Sequence, residues 1–154
     1  MIVYFVISVI AIIVDQAVKW WTVANFSEGQ GQDLIPGIVN IFYIKNPGAA
    51  WGILEGQMLI FYVITFIAVA AMAYLIFKDR GKSALASLAY ALILAGALGN
   101  FIDRLRLGYV VDMFRLDFMQ FPIFNVADMC LSIGVALLFI YTLFIEGKEH
   151  ASVK

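Results

Sequence analysis

The sequence predicts an all-α membrane protein with four transmembrane helices and a small part rich in β structure on its outer side. Of its 154 residues, 64% are hydrophobic and only 14% are charged, against roughly 45–50% and about 25% in typical soluble domains. A chain this short leaves much of its surface exposed, so a mean hydropathy of +0.95 indicates that lipid is its solvent. Four apolar stretches reach the roughly 20 residues that cross a bilayer.

The spans are predicted at about 2–24, 58–77, 84–105 and 126–145, within a single membrane domain, 1–154. The first span lacks a basic leader. Asp15, Gln16 and Lys19 also interrupt the place where a cleavage site of small residues would belong. We therefore interpret this span as a retained helix rather than a cleaved signal peptide.

Positive charges predict the orientation. The link 78–83 after the second span is short and basic, and the positive-inside rule places such a loop in the cytoplasm. The tail 146–154 and the N-terminus then lie on the same side, because the number of spans is even. Residues 25–57 and 106–125 face outward, and the aromatic belt at the outer surface would hold Trp20, Trp21 and Trp51.

The two outward segments carry the signals of β structure. Residues Ile38–Ile44 are rich in β-branched and aromatic side chains and lie between Pro-Gly and Asn-Pro-Gly turns. Residues Tyr109–Phe118 show a similar composition, interleaved with charges. These segments predict a small sheet at the outer leaflet.

Polar residues from three spans converge at one depth near the outer surface, whereas the inner parts of the spans are almost wholly apolar. The converging residues are Asp15, Lys19, Asn100, Asp103, Arg104, Asn125 and Asp128, with Asn46 and Asp112 in the outer connections. Ionisable groups inside spans are rare, and they indicate a functional site.

Simpler interpretations of the charged pairs stay open at this stage. Asp15 and Lys19 are four apart, on one helix face, and would also suit an intrahelical ion pair whose lysine extends outward to the membrane surface. Asp103 and Arg104 would also suit an interfacial charge pair.

The remaining features also have structural interpretations. Asn125 and Asp128 fit a helix start, with Asn as the N-cap and Asp where the helix dipole favours an anion. The small-residue faces Ala95-x-x-x-Gly99 and Gly96-x-x-x-Asn100 are typical of helix packing.

The residue types narrow the chemistry. The lone histidine, His150, lies in a polar tail, and Cys130 is the lone cysteine, so neither a histidine-based triad nor a metal site is expected. No basic run suggests nucleic acid. Asp112 and Asp128 remain, and two carboxylates brought close share a proton. Such a pair can activate water with its ionised member and polarise a carbonyl with its protonated member, without a metal or cofactor.

Five blocks follow one another along the chain: DQAVK at 15–19, NPGAAWG at 46–52, AGALGNFIDR at 95–104, VVD at 110–112 and FPIFNVAD at 121–128. In this order the blocks resemble the bacterial lipoprotein signal peptidases (signal peptidase II), a family of polytopic aspartyl peptidases. The departures are small: Ala95 stands where a second glycine is common, and Ala17-Val18 replaces a segment that often carries Ser or Thr.

The resemblance implies an enzyme of the bacterial cytoplasmic membrane, with its active site at the extracytoplasmic face. Residues 25–57 would form a small extracytoplasmic cradle rich in β structure, and part of 106–125 would form a flap over the site. Its substrate would be a prolipoprotein carrying a diacylglyceryl group, presented among membrane lipids and cut just before the lipidated cysteine. The cyclic peptide globomycin would inhibit it. The implied catalytic pair is Asp112 and Asp128. The residues that bind substrate or orient that pair would be Asn46, Gly48, Asn100, Arg104 and Asn125, with Asp15, Lys19 and Asp103 supporting the shape of the site.

Two other functions would also place charges in spans. An ion-coupled carrier needs polar residues at the midplane or along a path, and the apolar inner halves argue against it. A non-catalytic factor that captures lipoproteins would not need two aspartates.

Overall fold

The computed structural model describes residues 2–49, 53–79 and 83–146. Within them lie four long helices, each long and apolar enough to cross a membrane, and one small sheet, which confirms the predicted fold class. The helices are α1 (Ile2–Asn25), α2 (Met58–Asp79), α3 (Ala84–Leu107) and α4 (Val126–Tyr141), and a π-helical turn, Thr142–Glu146, continues α4. The predictions made for Trp51, for 80–82 and for most of the tail fall outside the described residues.

Helix α3 is the centre of the bundle and packs against the other three helices. Of its apolar window 61% is buried, against 11–17% in the other spans. Small residues on α3 allow the neighbouring helices to pack closely against it. Helices in lipid associate by such close packing rather than by a hydrophobic driving force. A Cβ added to Gly96 would lie 2.6 Å from Leu131 Cγ on α4, so the helices touch there. The packing interpretation of the small-residue faces is confirmed.

The C-terminal end of α3 turns sharply toward the sheet. Gly108 caps the helix in the left-handed region (φ 77°) and donates its N–H to the carbonyl of Arg104, a conformation that favours glycine. Strand β3 (Val110–Leu116) begins two residues later. The tight cap therefore places Asp112, the third residue of β3, close to the end of α3.

The sheet has the order β1-β2-β3 and is antiparallel throughout. Strands β2 (Val39–Asn46) and β3 correspond to the two predicted β segments. Strand β1 (Gly31–Ile35) was not predicted, because its sequence Gly-Gln-Asp-Leu-Ile has a low β propensity and every residue is exposed. β1 is an edge strand that pairing with β2 holds in place.

The register of the sheet places the loop after β2 beside the candidate active site. Ile44 pairs with Asp112 and Asn46 pairs with Val110, so the end of β2 lies beside the start of β3. Buried side chains of the sheet, among them Tyr43 and Met113, pack against Phe26 at the end of α1. The sheet is thereby seated on the ends of the helices.

Candidate active site

All of the predicted site residues meet at the end of the bundle that carries the sheet. They come from α1, α3 and α4, from β3 and from the loop after β2. Most of them are buried, so their hydrogen bonds are made within the protein. The contacts divide into an aspartate pair, a charged cluster behind it, and an apolar cavity in front of it.

Asp112 is the more enclosed of the two aspartates in the pair, with 1% of its surface exposed. Its Oδ2 accepts a hydrogen bond from Asn46 Nδ2 (2.8 Å), and its Oδ1 accepts one from Asn125 Nδ2 (2.6 Å). Burial, helped by the negative charge of Asp128, raises the pKa of Asp112 to about 7, although both amides oppose the shift. Asp112 can therefore hold a proton near neutral pH.

Asp128 is the other member of the pair and lies in the first turn of α4. Its Oδ1 accepts from Asn100 Nδ2 (2.7 Å), and its Oδ2 accepts from the backbone N–H of Asn125 (3.2 Å). The Asn125 side chain accepts in turn from the N–H of Asp128 (2.9 Å), which completes a capping box. The helix-start interpretation is thus confirmed, and the same two residues also line the site.

The loop after β2 is tied to the pair through Asn46. Its Oδ1 accepts from the backbone N–H of Gly48 at 2.9 Å, which leaves Nδ2 free to donate to Asp112. A Cβ on Gly48 would lie 2.8 Å from the carbonyl oxygen of Ile53. Only glycine fits this crossing of two backbone segments.

Behind the pair, Lys19 lies at the centre of a buried charged cluster. Its Nζ lies 2.9 Å from Asp15 Oδ2 and 3.0 Å from Asp103 Oδ2, and it donates to Asn100 Oδ1 at 3.0 Å. Only 3% of the lysine is exposed, so the interpretation in which it extends to the membrane surface is wrong. The ion pair with Asp15 exists, but it is one part of a network that joins helices.

The two carboxylates of this cluster bind further elements. Asp15 Oδ1 accepts from the N–H of Ala127 (2.8 Å), and Asp103 Oδ2 accepts from the N–H of Val111 (3.1 Å). Gln16, which the sequence analysis did not single out as a site residue, donates to Asp103 Oδ1 (2.9 Å). Gln16 lies next to Asp15 in the block DQAVK, and this position was the sequence signal that could have identified it as a site residue. The cluster links α1 to α3, to α4 and to β3.

Arg104 does not act as the ion-pair partner of its neighbour Asp103. Its Nη2 donates to the carbonyl of Gly48 at 2.9 Å, and its guanidinium lies 4.1 Å from the ring centroid of Phe61 on α2. Within the described residues, its Nε is buried and has no hydrogen-bond partner. Arg104 therefore lines the cavity and keeps one N–H donor for which no described residue is the acceptor.

A cavity of about 640 Å³ opens in front of the pair. Its polar lining consists of the charged and amide residues Asp112, Asp128, Asn46, Asn100 and Arg104 and the hydroxyl residues Thr65 and Ser132, and most of the remaining wall is apolar. The apolar wall comes mainly from α2, α4 and the segment before α4, with Phe61, Ile64, Phe121, Phe124, Met129 and Ile133 among its residues. Phe121 and Phe124 belong to the block at 121–128 that the sequence analysis singled out. No sequence signal marked Phe61, Ile64 or Ile133, because an apolar side chain in a span looks the same whether it faces lipid or a cavity.

The geometry of the aspartate pair suits hydrolysis by general acid–base catalysis. In the described part of the chain, no three His, Cys, Asp or Glu side chains converge as a metal site would require. Two carboxylates share one donor residue, Asn125, and face an apolar cavity, and one of them has a raised pKa. An ionised and a protonated carboxyl at one place can provide a general base and a general acid.

Comparisons with known proteins agree with this geometry. The sequence model of the family described as signal peptidase (SPase) II matches residues 7–144. The lipoprotein signal peptidase of Enterococcus faecalis is 50% identical over 146 residues, covering 95% of this chain and 91% of that protein. The lipoprotein signal peptidase of Lactobacillus johnsonii is 46% identical, covering 95% of each.

Solved structures agree as well. A bacterial membrane enzyme structure determined by the in meso method at 2.3 Å resolution superposes with a TM-score of 0.89 and 41% sequence identity. The comparison covers 93% of this chain and 88% of the other. A second such structure, at 1.9 Å, gives a TM-score of 0.87 with 40% identity, and covers 94% of this chain and 95% of the other. This chain is a multi-pass membrane peptidase and belongs to the signal peptidase II family.

Proposed function

We propose that this peptidase removes the signal peptide from diacylglyceryl-modified prolipoproteins, cutting just before the lipidated cysteine, with Asp112 and Asp128 as its catalytic pair. The observation that carries the proposal is the position of both carboxylates. They flank Asn125 and line one apolar cavity of about 640 Å³. A signal peptide is an apolar helix that lies in the membrane. The enzyme must therefore bind the cleavage site at the surface of the bilayer rather than in water.

The two aspartates take different roles because their surroundings differ. Asp112, with its pKa raised to about 7, carries the proton and donates a hydrogen bond to the scissile carbonyl oxygen. Asp128 is the carboxylate that takes a proton from water as the water oxygen attacks the carbonyl carbon. This division of labour follows the general rule for paired carboxyl groups.

The remaining proton transfers complete the reaction and return both aspartates to their starting protonation states. The proton of Asp112 passes to the carbonyl oxygen, and a tetrahedral diol forms. When the carbon–nitrogen bond breaks, the leaving nitrogen takes the proton held by Asp128, and a diol hydroxyl returns a proton to Asp112. The products are a signal peptide with a free carboxyl group and a lipoprotein with a free amino group on its cysteine.

The neighbours of the pair hold it and receive the substrate. Asn46, Asn100 and Asn125 are neutral amides, so they orient the carboxyl groups without adding charge. Arg104 keeps a buried Nε–H without a partner in the described part of the chain, and this donor suits a backbone carbonyl or a lipid ester. The charged cluster of Asp15, Lys19 and Asp103 supports the site from behind.

The location proposed is the bacterial cytoplasmic membrane, with both termini in the cytoplasm and the site at the extracytoplasmic face. The basic link 78–83 supports this orientation by the positive-inside rule. Trp20 and Trp21 lie at the site end of α1 and are exposed, as expected of residues at a membrane surface. By the family resemblance, globomycin would occupy the cavity and block cleavage.

The test is cleavage of a purified diacylglyceryl-modified prolipoprotein, with the unmodified precursor as control. We expect cleavage of the modified precursor alone. Asp112→Asn and Asp128→Asn should each abolish it while the protein still inserts and accumulates. Retained cleavage by either variant would contradict the assignment of the pair. Binding of the precursor by the unaltered protein without cleavage would instead favour the capture factor.

A further inference from the structure

The three amides that donate to the aspartate pair all point their NH2 groups toward it. An asparagine side chain has nearly the same shape in both orientations, so its partners alone decide which way it points. For Asn46 and Asn125 the deciding partner is local: their Oδ1 atoms accept from the backbone N–H of Gly48 and of Asp128, both at 2.9 Å. Loop and helix-cap geometry therefore set the orientation of these two amides.

Asn100 is held differently. It lies inside α3, where backbone N–H groups are used by the helix, and its Oδ1 accepts instead from side chains. The donors are Lys19 Nζ at 3.0 Å and Asn125 Nδ2 at 3.1 Å. Lys19 carries a charge and is itself held by Asp15 and Asp103, so it is the stronger and better fixed of the two donors.

The reverse orientation of Asn100 would harm the pair. Its oxygen would then face Asp128 Oδ1, which now receives a hydrogen bond from Nδ2 at 2.7 Å. Two acceptors would oppose each other, and the NH2 group would meet the ammonium of Lys19. Asp128 would then lose a hydrogen bond that favours its ionised form, and the reaction needs this carboxylate as the base.

We infer that Lys19 is a positioning residue for catalysis: by holding Asn100 Oδ1 it directs Asn100 Nδ2 to Asp128 and keeps that carboxylate in place as the base. The inference rests on the proposed function and goes beyond it, because it assigns Lys19 an effect on the reaction itself rather than on the shape of the bundle alone. The three N–H groups of the ammonium match the three acceptors within reach, Asp15, Asp103 and Asn100.

A direct Lys19→Met change would strand two buried carboxylates, so the test uses a background that conserves charge. The cluster of one lysine and two aspartates has a net charge of −1, and D15N/K19M leaves Asp103 alone with the same net charge. The Oδ1 of the new asparagine can still accept from the N–H of Ala127. The reference of equal charge is the unaltered protein. Asp15→Asn alone, whose cluster is neutral, keeps Lys19 beside Asn100 and measures what the change at position 15 contributes.

The measurement is kcat and KM for cleavage of the diacylglyceryl-modified precursor. From the unaltered protein to D15N/K19M we expect kcat to fall roughly ten- to a hundredfold, the effect of one hydrogen bond to a charged group, with most of this fall absent from D15N alone. KM should change by less than about twofold, because Lys19 is not among the residues that line the cavity. In a background with Asn100→Ala, the same double change should cost less than about twofold, since the target of Lys19 is gone.

A matched control separates positioning from packing. Ser8 also joins α1 to α3, donating from Oγ to the carbonyl of Ala91 at 2.9 Å, but it lies far along α1 from the site. Ser8→Ala should lower thermal stability in detergent and leave kcat unchanged. If D15N/K19M does not accumulate, D15N/K19Q keeps one donor at position 19, and its loss of kcat must likewise disappear in the Asn100→Ala background.

The outcomes are distinct. Equal losses of kcat with and without Asn100, or a loss confined to stability, would overturn the positioning role while leaving the peptidase assignment intact. An unaltered protein that cuts no lipidated precursor would overturn the proposed function, and the role of Lys19 with it.

Discussion

The two ends of this helix bundle are held together by different forces. At the end away from the sheet, apolar side chains such as Ile76, Leu94 and Tyr141 form a packed cluster. At the site end the same helices are joined by buried charges, with Lys19 between Asp15 and Asp103. The first end is held mainly by packing, to which a hydrogen bond from Tyr90 Oη on α3 to Asp79 Oδ2 on α2 (2.9 Å) is added. The site end is held by buried ion pairs and hydrogen bonds.

The difference between the two ends explains how the rotation of the helices around the site is set. Lipid tails are as apolar as leucine, so packing alone gives little preference for one rotation of a helix about its axis. A buried charge has a strong preference, because leaving it without a partner costs several kcal/mol, on the order of 3–5 for a broken pair. The charged cluster therefore sets how α1, α3 and α4 face one another, and so where Asp128 points.

Removal of Asp103 should have the largest effect. Its carboxylate contacts Lys19 and accepts from Gln16 and from the backbone of Val111. Asp103→Ala removes one acceptor from each of these donors and takes from the buried N–H of Val111 its side-chain partner, although Lys19 keeps Asp15 and Asn100. We expect a loss of about 3–5 kcal/mol. Accumulation in the membrane and thermal unfolding in detergent measure it. A stable but inactive variant would instead place Asp103 in the chemistry itself.

Alanine at two glycines compares the ends directly, with a smaller effect. At Gly99 a Cβ would lie 2.7 Å from Asp15 Oδ2, and at Gly134 it would lie 2.8 Å from Ile93 Cγ1. Both changes overpack a helix contact, which costs about 1–3 kcal/mol. Gly99→Ala should also lower kcat, because it displaces the charged cluster, whereas Gly134→Ala should change stability alone. Equal effects on kcat would remove the distinction between the ends.

The smallest expected effect concerns pH. Burial and the charge of Asp128 raise the pKa of Asp112 to about 7, so Asp112 holds its proton below that pH and loses it above. Cleavage should therefore decline as the pH rises through about 7. Asn46 favours the ionised form of Asp112 through its hydrogen bond. Asn46→Ala should move this decline to higher pH, by about one unit or less.

The measurement is kcat against pH for the unaltered protein and for Asn46→Ala. Ser8→Ala, which contacts α3 far from the pair, serves as the control and should keep the original profile. A shift to lower pH in Asn46→Ala would show that the amide favours the protonated form, contrary to the geometry.

Much of the fold could be predicted because it depends on local properties. A span needs about 20 apolar residues, and a helix satisfies its own backbone in lipid, so hydropathy alone located α1 to α4. Strand β1 was not predicted because its own sequence has a low β propensity, and pairing with β2 holds it in the sheet. Phe61 and the other cavity residues within the spans were not predicted, because hydropathy does not distinguish a side chain that faces a ligand from one that faces lipid.

The sequence by itself determined the four spans, the single depth at which the charges gather, and Asp112 and Asp128 as the candidate pair. Only the tertiary structure decided the partners: Lys19 turns inward to Asp103 and Asn100, Arg104 binds the Gly48 carbonyl, and Gln16 joins the cluster. The reason is geometric. Hydropathy places a residue along the membrane normal, but its partner depends on how each helix is rotated, and this follows from contacts between residues far apart in the chain.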